Sequence, residues 1–362
     1  MGKTAKVLIV DDSAFMRKLI VEFLSEDNRI EVVGTARNGE EAIKKIPQLK
    51  PDVVTLDVEM PVMDGLQALQ IIMDQTPVPV IMLSSTTRQG AENTLDAMSK
   101  GAFDFIAKPS GSISLDLHKI KSELVEKVLL ATQADIRILQ KSRKIVEKCI
   151  GEAAAYCKIE PEITIEGKDW HSGNKKIVLI GTSTGGPRAL QTVLSSIPAD
   201  IPAPILVVQH MPPGFTKSLA SRLDSLCKIR VKEAENGEII QKGTAYIAPG
   251  GYHLKIKKAG LSLAISLEQS EPRNGHRPSV DVMLESAVQL PDYSKVAVIM
   301  TGMGSDGAKG LTELKKSGYT RAIAESANTS IVFGMPKAAI ATSLVDSVAD
   351  VDQIASTIMK YS

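Results

Sequence analysis

This sequence has few cysteines, few aromatic residues and almost no net charge. Its 362 residues include three cysteines and one tryptophan, and aromatic residues make up 4%. Cys149, Cys157 and Cys227 form no C-x-x-C pair and are too few for a disulfide framework, so we expect reduced thiols. The 43 Lys and Arg against 42 Asp and Glu give a net charge of +1, which argues against nucleic acid or an anionic membrane as the main partner.

Long apolar runs are also missing. No run approaches the roughly 20 apolar residues of a membrane-spanning helix. Only four strongly apolar residues precede Asp11, too few for the core of a signal peptide. We therefore expect a cytoplasmic protein that is not inserted in a membrane. At roughly 150 residues per domain, the length predicts two or three domains.

Short β-branched runs, each followed by a loop and a helical segment, recur along the chain. Continuous apolar strands alternating with helices predict parallel strands covered on both faces. Five such units occupy the first third, and the alternation restarts at Ile177 after a polar stretch. Two period-two segments around Ala259-Gly260 predict an antiparallel hairpin at the edge of the second sheet. The fold class is therefore α/β, with two doubly wound domains at 1–125 and 176–362 and an interdomain helix and linker at 126–175.

Polar side chains follow four strands of the first domain, where the carboxyl ends of the strands meet at one edge. Carboxylates, a hydroxyl and an ammonium group together suit Mg²⁺ and phosphate, so Asp57 is a candidate phosphoryl acceptor. The alternative is a set of solvated acidic loop ends. Pro109 fits a sharp, cis turn that aims the preceding lysine inward. The groups are Asp11 and Asp12, Asp57, Ser84 and Lys108.

These residues resemble the receiver domain of bacterial response regulators, over about residues 5 to 125. The matching motifs are Asp11-Asp12-Ser13, Asp57-Val-Glu59-Met60-Pro61-x-Met63-Asp64-Gly65, Ser84 and Lys108-Pro109. The resemblance implies a flavodoxin-like (βα)5 fold and phosphorylation of Asp57 by a histidine kinase. It implies Mg²⁺ held by Asp12, Asp57 and the backbone carbonyl of Glu59, with Asp11 in support. It also implies that Ser84, Phe105 and Lys108 are the residues that switch on phosphorylation.

A glycine-rich turn, Gly181-Thr182-Ser183-Thr184-Gly185-Gly186, lies between an apolar strand and a helical segment. Such a turn exposes the central serine hydroxyl and points backbone N–H groups at a developing anion. The same strand, turn and helix could instead hold a dinucleotide phosphate. Ser183 is therefore a candidate nucleophile, and a phosphate-binding role for the turn remains open as the alternative.

A serine nucleophile needs a base, and His210 ends the next predicted strand. Asp306 follows a third strand, so all three side chains reach the same edge, with Asp306 placed to orient the imidazole. The alternative for Asp306 is an N-cap of the helix that follows it. His253 and His276, in loops, could bind substrate or cap structure.

Six motifs in order resemble the chemotaxis receptor methylesterases. They are Ile180-Gly-Thr-Ser183-Thr-Gly-Gly-Pro187, Gln209-His210-Met-Pro-Pro-Gly-Phe215-Thr, Ala248-Pro-Gly-Gly-Tyr-His253, His276-Arg-Pro-Ser-Val-Asp281, Thr301-Gly-Met-Gly-Ser-Asp306-Gly and Val332-Phe-Gly-Met-Pro336. The resemblance implies a Rossmann-like α/β/α domain that hydrolyses γ-glutamyl methyl esters on methyl-accepting chemotaxis receptors and deamidates selected receptor glutamines. It implies Ser183 as nucleophile, His210 as base and acid, Asp306 as orienter, and the N–H groups of Thr184 and Met303 as the oxyanion hole, without a metal.

The sequence departs from that family at two places. Glu325-Ser-Ala-Asn328 stands where the family has a more acidic stretch, and Arg188 follows the Gly-Gly-Pro of the turn. A receiver joined to an esterase predicts phosphorylation-regulated activity, with the unphosphorylated receiver packed over the esterase cleft. Because the substrate that the resemblance implies is the cytoplasmic part of a membrane receptor, the resemblance also implies that the enzyme is recruited to membrane receptor clusters. Two other classes remain open: a signalling adaptor without catalysis, and a nucleotide-dependent reductase.

Overall fold

The computed structural model describes residues 4–108, 114–140 and 175–361, without the side chains of 114–119. The chain divides into two compact units, Met1–Lys144 and Ile145–Ser362. The predicted turn at Pro109 lies outside the described residues, and so does the part of the predicted interdomain helix and linker (126–175) that spans residues 141–174.

The first unit is a five-stranded parallel sheet with helices after each strand. Its strand order is β2-β1-β3-β4-β5, so the direction of winding reverses at β1. Every residue of β3 and β4 is buried, as expected for strands covered on both faces. The elements are β1 (Ala5–Val10), α1 (Ala14–Ser25), β2 (Ile30–Ala36), α2 (Gly39–Leu49), β3 (Val53–Asp57), α3 (Gly65–Gln75), β4 (Val80–Ser84), α4 (Arg88–Ser99), β5 (Asp104–Ala107) and α5 (Ser114–Ala131).

Side-chain caps begin four of these helices close to the carboxyl ends of the strands. Ser13, Asn38, Asp64 and Thr87 each accept a hydrogen bond from the backbone N–H three residues later, as N-cap residues do. Ser13 does so directly after Asp11 and Asp12, which fixes how the chain leaves β1. The loops that carry the acidic groups are therefore held by capped helix starts.

The second unit contains a seven-stranded sheet in which every strand pair is parallel. Its order is β14-β13-β12-β6-β7-β9-β8. The elements are β6 (Lys175–Thr182), α6 (Gly186–Ser195), β7 (Ile205–Gln209), α7 (Phe215–Leu226), β8 (Arg230–Glu233), β9 (Thr244–Ile247), β10 (His253–Ala259), β11 (Ser262–Glu268), α8 (Val280–Ala287), β12 (Tyr293–Ile299), α9 (Ala308–Lys316), β13 (Thr320–Glu325), α10 (Met335–Ala341), β14 (Ser347–Ala349) and α11 (Val351–Tyr361).

The predicted antiparallel hairpin is present as β10 and β11, but it does not extend the main sheet. The two strands form a sheet of their own, and β8 occupies the edge beyond β9. Leu254, Ile256, Leu263 and Ile265 point into the same apolar cluster as the buried face of α8. Because this alternation buries one face of the hairpin, the hairpin covers the core instead of pairing with a sheet edge.

Strand register places the candidate site residues. Thr182 pairs with Gln209 across β6 and β7, and Gly181 pairs with Ile299 across β6 and β12. Adjacent strands lie about 4.8 Å apart, so the residues that follow these pairs leave three neighbouring strands at one edge.

Membrane-spanning helices are not found in the described part of the chain: none of its helices is both long enough and apolar enough to cross a bilayer.

Candidate functional sites

The acidic side chains of the first unit come together at the carboxyl edge of its sheet. Asp11, Asp12 and Asp57 each offer a carboxylate oxygen, and these oxygens lie within 4.8 Å of one another. Lys108 Nζ lies 2.8 Å from Asp11 Oδ2 and 2.7 Å from Asp57 Oδ2. A set of oxygen donors of this kind fits a hard divalent cation such as Mg²⁺.

Burial dominates the protonation of Asp57, whose residue is 4% exposed. It raises the pKa of Asp57 to about 6, while the Lys108 ammonium and the Glu59 backbone N–H act in the opposite direction. Burial disfavours the charged form of Lys108 too, but its bonds to Asp11 and Asp57 raise the Lys108 pKa overall. The site therefore holds a buried carboxylate whose charge is costly when no cation is bound.

We expect Asp57→Asn to stabilise the first unit at pH 7 in the presence of EDTA. The pKa rises from 3.8 to about 6, so the folded state binds the Asp57 proton more tightly and wild-type stability falls as pH rises through this window. At 1.36 kcal/mol per pKa unit, the advantage of the variant is on the order of 3 kcal/mol above pH 6. It should vanish below about pH 4, where both proteins are neutral at this position.

Urea unfolding of the first unit, followed at pH 4 and pH 7, measures this difference. Asp74→Asn, on the exposed face of α3, is the control for loss of one carboxylate. Equal stabilities of Asp57→Asn and wild type at pH 7 would contradict the expectation.

Two of the predicted switch residues, Ser84 and Phe105, contact residues outside the acidic site. The Ser84 hydroxyl donates to the Gly90 carbonyl at 2.9 Å and is fully buried. Phe105 is 5% exposed, and Lys127 Nζ lies 5.3 Å from the centre of its ring. Glu59 is exposed, and its backbone N–H donates a hydrogen bond to the Asp57 carboxylate.

In the second unit, Ser183 lies in the turn between β6 and α6. Its backbone N–H donates to the Thr301 carbonyl at 2.9 Å, and its carbonyl accepts from Gly186 N–H at 2.7 Å. Gln209 Nε2 also donates to the Ser183 carbonyl at 3.0 Å. The turn is therefore tied to β7 and to the loop that follows β12, at the two strands on either side of β6.

His210 follows β7 and is paired with Asp306. Its backbone N–H donates to the Thr182 carbonyl at 3.2 Å, which places it beside the Ser183 turn. His210 Nε2 lies 2.9 Å from Asp306 Oδ2. The other ring nitrogen, Nδ1, is buried and has no hydrogen-bond partner among the residues that the structure describes. Nδ1 is thus the nitrogen left to exchange a proton with a reacting group.

His210, with two backbone amides in support, keeps Asp306 ionised. Burial opposes the charged form, but the bond from His210 and the N–H groups of Val280 and Asp281 hold the pKa of Asp306 well below its usual range. Val280 N lies 2.7 Å from Oδ2, and the Ser279 hydroxyl lies 2.9 Å from Oδ1. Asp306 therefore caps the start of α8, which is a different helix from the α9 cap considered from the sequence.

A second buried carboxylate, Asp281, completes this arrangement and was not predicted as a site residue. Its Oδ1 accepts from the backbone N–H groups of Gly307 at 2.9 Å and Gly310 at 2.7 Å. Asn274 Nδ2 bridges the two carboxylates, at 3.0 Å from Asp281 and 3.2 Å from Asp306. Asp306 thus caps α8, the helix that contains Asp281, and Asp281 caps α9, the helix that follows Asp306. In the sequence, only the His-Arg-Pro-Ser-Val-Asp motif pointed to Asp281.

The two loop histidines differ in their relation to the site. The His276 ring stacks on the His210 ring with centroids 3.8 Å apart and planes 11° apart. His253 is buried at the start of β10, where its Nε2 lies 3.1 Å from the Glu271 carbonyl. Stacking on His276 restricts how the His210 ring can turn.

The two predicted oxyanion donors lie in different segments: Thr184 follows Ser183 in the turn, and Met303 lies in the loop after β12. The Thr301 hydroxyl donates to the Thr184 carbonyl at 2.9 Å, which joins the loops. A Cβ atom on Gly302 would lie 2.7 Å from Ser183 Cβ and 2.4 Å from Met335 Sδ. The loop that carries Met303 reaches Ser183 this closely only because residue 302 is glycine.

Comparisons with known proteins agree with both units. Residues 178–358 match the CheB methylesterase family model, and residues 7–118 match the model of the response regulator receiver domain. A protein-glutamate methylesterase/protein-glutamine glutaminase of Geobacillus kaustophilus is 56% identical over 358 residues, which cover 99% of each chain. The protein of that name from Bacillus subtilis is 51% identical, and the match covers 98% of this chain and 97% of its relative.

A solved structure is similar to the second unit. The crystal structure of the CheB methylesterase catalytic domain of Thermotoga maritima shares 47% identity with this chain. The match covers 52% of this chain and 98% of that one, with a TM-score of 0.50.

Proposed function

This chain belongs to the CheB methylesterase family and carries a response regulator receiver domain, and we propose that it removes methyl groups from glutamate side chains of methyl-accepting chemotaxis receptors. It is a hydrolase of the protein-glutamate methylesterase and protein-glutamine glutaminase type. The observation that carries the proposal is His210, held by Asp306 at the sheet edge and adjacent to the turn that contains Ser183.

We assign Ser183 as nucleophile and His210 as its base. Ionised Asp306 only accepts hydrogen bonds, so the proton between them lies on Nε2 of His210 and Nδ1 carries a lone pair. Ser183 Oγ attacks the ester carbonyl carbon while its proton moves to Nδ1. Backbone N–H groups of Thr184 and Met303 stabilise the negative charge that forms on the carbonyl oxygen.

The second half of the reaction reuses His210. The proton on Nδ1 passes to the departing oxygen, methanol leaves, and the glutamyl group stays esterified to Ser183. Water then attacks this acyl-enzyme while Nδ1 takes one of its protons, and this proton returns to Ser183 Oγ as the bond to the acyl group breaks. The product leaves as the glutamic acid side chain, which loses its remaining proton to solvent. With a receptor glutamine as substrate, ammonia leaves in place of methanol.

Regulation is proposed to begin at Asp57, phosphorylated by a chemotaxis histidine kinase. Lys108, which bonds to Asp57 Oδ2, is placed to bind a phosphoryl oxygen after transfer. The Ser84 hydroxyl, bonded to the Gly90 carbonyl, would turn toward the phosphoryl group, and Phe105 would move with it. We propose that these changes raise esterase activity.

The receiver domain implies Mg²⁺-dependent phosphorylation. We propose that Asp12, Asp57 and the Glu59 backbone carbonyl hold the ion, with Asp11 in support, because three of these residues cluster at the sheet edge. Held by these residues, the ion would supply positive charge to offset the negative charge of the phosphoryl group during transfer. The proposed ester hydrolysis itself uses only side chains and backbone N–H groups.

Methanol release from methylated receptor membranes tests the proposal. We expect wild type to release methanol, and a small acyl phosphate with Mg²⁺ to raise the rate. The increase should be absent in Asp57→Asn because the acceptor carboxylate is gone, whereas the exposed control Asp74→Asn should respond like wild type.

Two outcomes would contradict this account. Equal release by wild type and Ser183→Ala would exclude the proposed esterase site. An undiminished phosphodonor response in Asp57→Asn would exclude the proposed phosphorylation site.

The proposed substrates also imply that the enzyme works in the cytoplasm at membrane receptor clusters, where a fluorescent fusion should colocalise with the receptors.

A further inference from the structure

A buried carboxyl group lies at the end of β13, outside the residues assigned above. Glu325 is 1% exposed. Its Oε2 accepts from the Thr301 backbone N–H at 2.8 Å, and its Oε1 accepts from the Thr329 hydroxyl at 3.0 Å. Both oxygens therefore have fixed donors, and one donor belongs to the loop that carries Met303.

Thr301 connects that loop to the serine turn. Its carbonyl accepts from the Ser183 backbone N–H at 2.9 Å and from the Thr182 hydroxyl at 3.0 Å. Its hydroxyl donates to the Thr184 carbonyl at 2.9 Å and accepts from the Val332 backbone N–H at 3.0 Å. A shift of Thr301 would thus displace the nucleophile and both proposed oxyanion donors together.

We propose that Glu325 is a positioning residue of the esterase: its carboxyl group holds the Thr301 amide, and through Thr301 it fixes Ser183, Thr184 and Met303 relative to one another. This inference rests on the proposed function, and it gives a role to the position at which the sequence departs from its family's acidic stretch.

The second oxygen of Glu325 is anchored independently of the site. Thr329, which donates to Oε1, also accepts from the Val351 backbone N–H at 3.0 Å, at the start of α11. The carboxyl group is therefore held between α11 and the Thr301 loop. Because both carboxyl oxygens are hydrogen-bonded, a movement that kept the bond to Thr301 would strain the bond to Thr329. The Glu325 side chain therefore holds the Thr301 amide at a fixed position relative to α11.

Residue 325 needs a hydrogen-bond acceptor for the Thr301 amide more than it needs a negative charge. Burial raises the pKa of Glu325 to about 7, with the nearby Asp350 acting in the same direction, although the bonds from Thr301 and Thr329 lower it. Neutral and ionised carboxyl groups both accept a hydrogen bond from Thr301. A glutamine carbonyl should serve equally well, whereas a methionine of similar size leaves the Thr301 amide buried and unpaired.

Steady-state kinetics of three variants test the proposal. We expect Glu325→Met to lower kcat for methyl-ester hydrolysis by about 10- to 100-fold with KM changed less than about twofold, because misplaced groups affect the transition state more than binding. Glu325→Gln should keep kcat within about threefold of wild type. Glu313→Met, exposed on α9, is the matched control and should behave as wild type.

A Glu325→Met enzyme with wild-type kcat overturns the proposal, and so does a Glu325→Gln enzyme as impaired as Glu325→Met. If Glu325→Met does not fold, Glu325→Gln decides alone: a kcat within about threefold of wild type supports positioning by an acceptor, and a larger loss overturns it.

A second measurement is independent of ester hydrolysis. With ¹⁵N-threonine labelling, the Thr301 amide proton should resonate downfield in wild type and Glu325→Gln and move upfield in Glu325→Met, because the hydrogen bond is lost. An unchanged resonance in Glu325→Met overturns the inference about Glu325. A wild type that shows the expected resonances but releases no methanol overturns the proposed function instead.

Discussion

Replacing Ser183 with alanine should lower kcat for glutamyl methyl-ester hydrolysis by about a million-fold, the scale seen when the nucleophile of a serine hydrolase is removed. Without Oγ no acyl-enzyme forms, and His210 has no proton to accept. Residual hydrolysis should come only from substrate binding and from the N–H groups around the turn. Because the Ser183 backbone makes the bonds that shape the turn, the fold should be unaffected.

Methanol release and trapping of the acyl-enzyme together measure this effect. Ser225→Ala, an exposed serine on α7, is the matched control and should match wild type. Covalent glutamyl label that persists in Ser183→Ala, or a kcat reduced less than about tenfold, would identify a different nucleophile.

Asp306→Asn should lower kcat by about 10⁴-fold, the cost known for the analogous change in a serine protease triad. The carboxylate accepts from His210 Nε2, so it fixes the tautomer that leaves Nδ1 free. An asparagine amide can present its NH₂ to the ring and favour the wrong tautomer. The variant also loses the charge that stabilises the imidazolium formed during the reaction.

The same kinetic assay tests Asp306→Asn, with Asp352→Asn in the first turn of α11 as the control for a carboxylate near a helix start. Because Asp306 also caps α8, thermal unfolding should be followed in parallel. A folded Asp306→Asn enzyme with kcat near wild type would remove Asp306 from the mechanism.

Most strands could be predicted from the sequence because a parallel sheet buries both faces, which produces continuous apolar runs. The two outermost strands of the second sheet, β8 and β14, cannot be predicted in this way. β8 has the sequence Arg-Val-Lys-Glu and β14 has three residues, so neither carries the apolar run of an inner strand. The alternation of apolar and polar residues predicts the hairpin. The surface against which the hairpin packs could not be predicted, because it depends on which face of the core the other elements leave uncovered.

The candidate site could be predicted where it follows strand ends. Ser183, His210 and Asp306 were selected because parallel strands align their carboxyl ends, and the structure brings His210 and Asp306 into contact. The roles of Asp281 and Asn274 were out of reach, because they depend on how α8 and α9 begin against each other. Glu325 acts through a backbone amide, and no sequence pattern reports such a bond.

The pairing of β6 with β7 fixes how Ser183 and His210 are placed relative to each other, and this register can change only in steps of one whole residue. Thr182 faces Gln209 in the ladder, and side chains along a strand alternate between faces. Inserting one residue inside β7 would therefore send the His210 side chain to the opposite side of the sheet, not displace it slightly. Substitutions around the site can tune the rate by degrees, whereas chain-length variation is tolerable only in loops such as those that flank the hairpin.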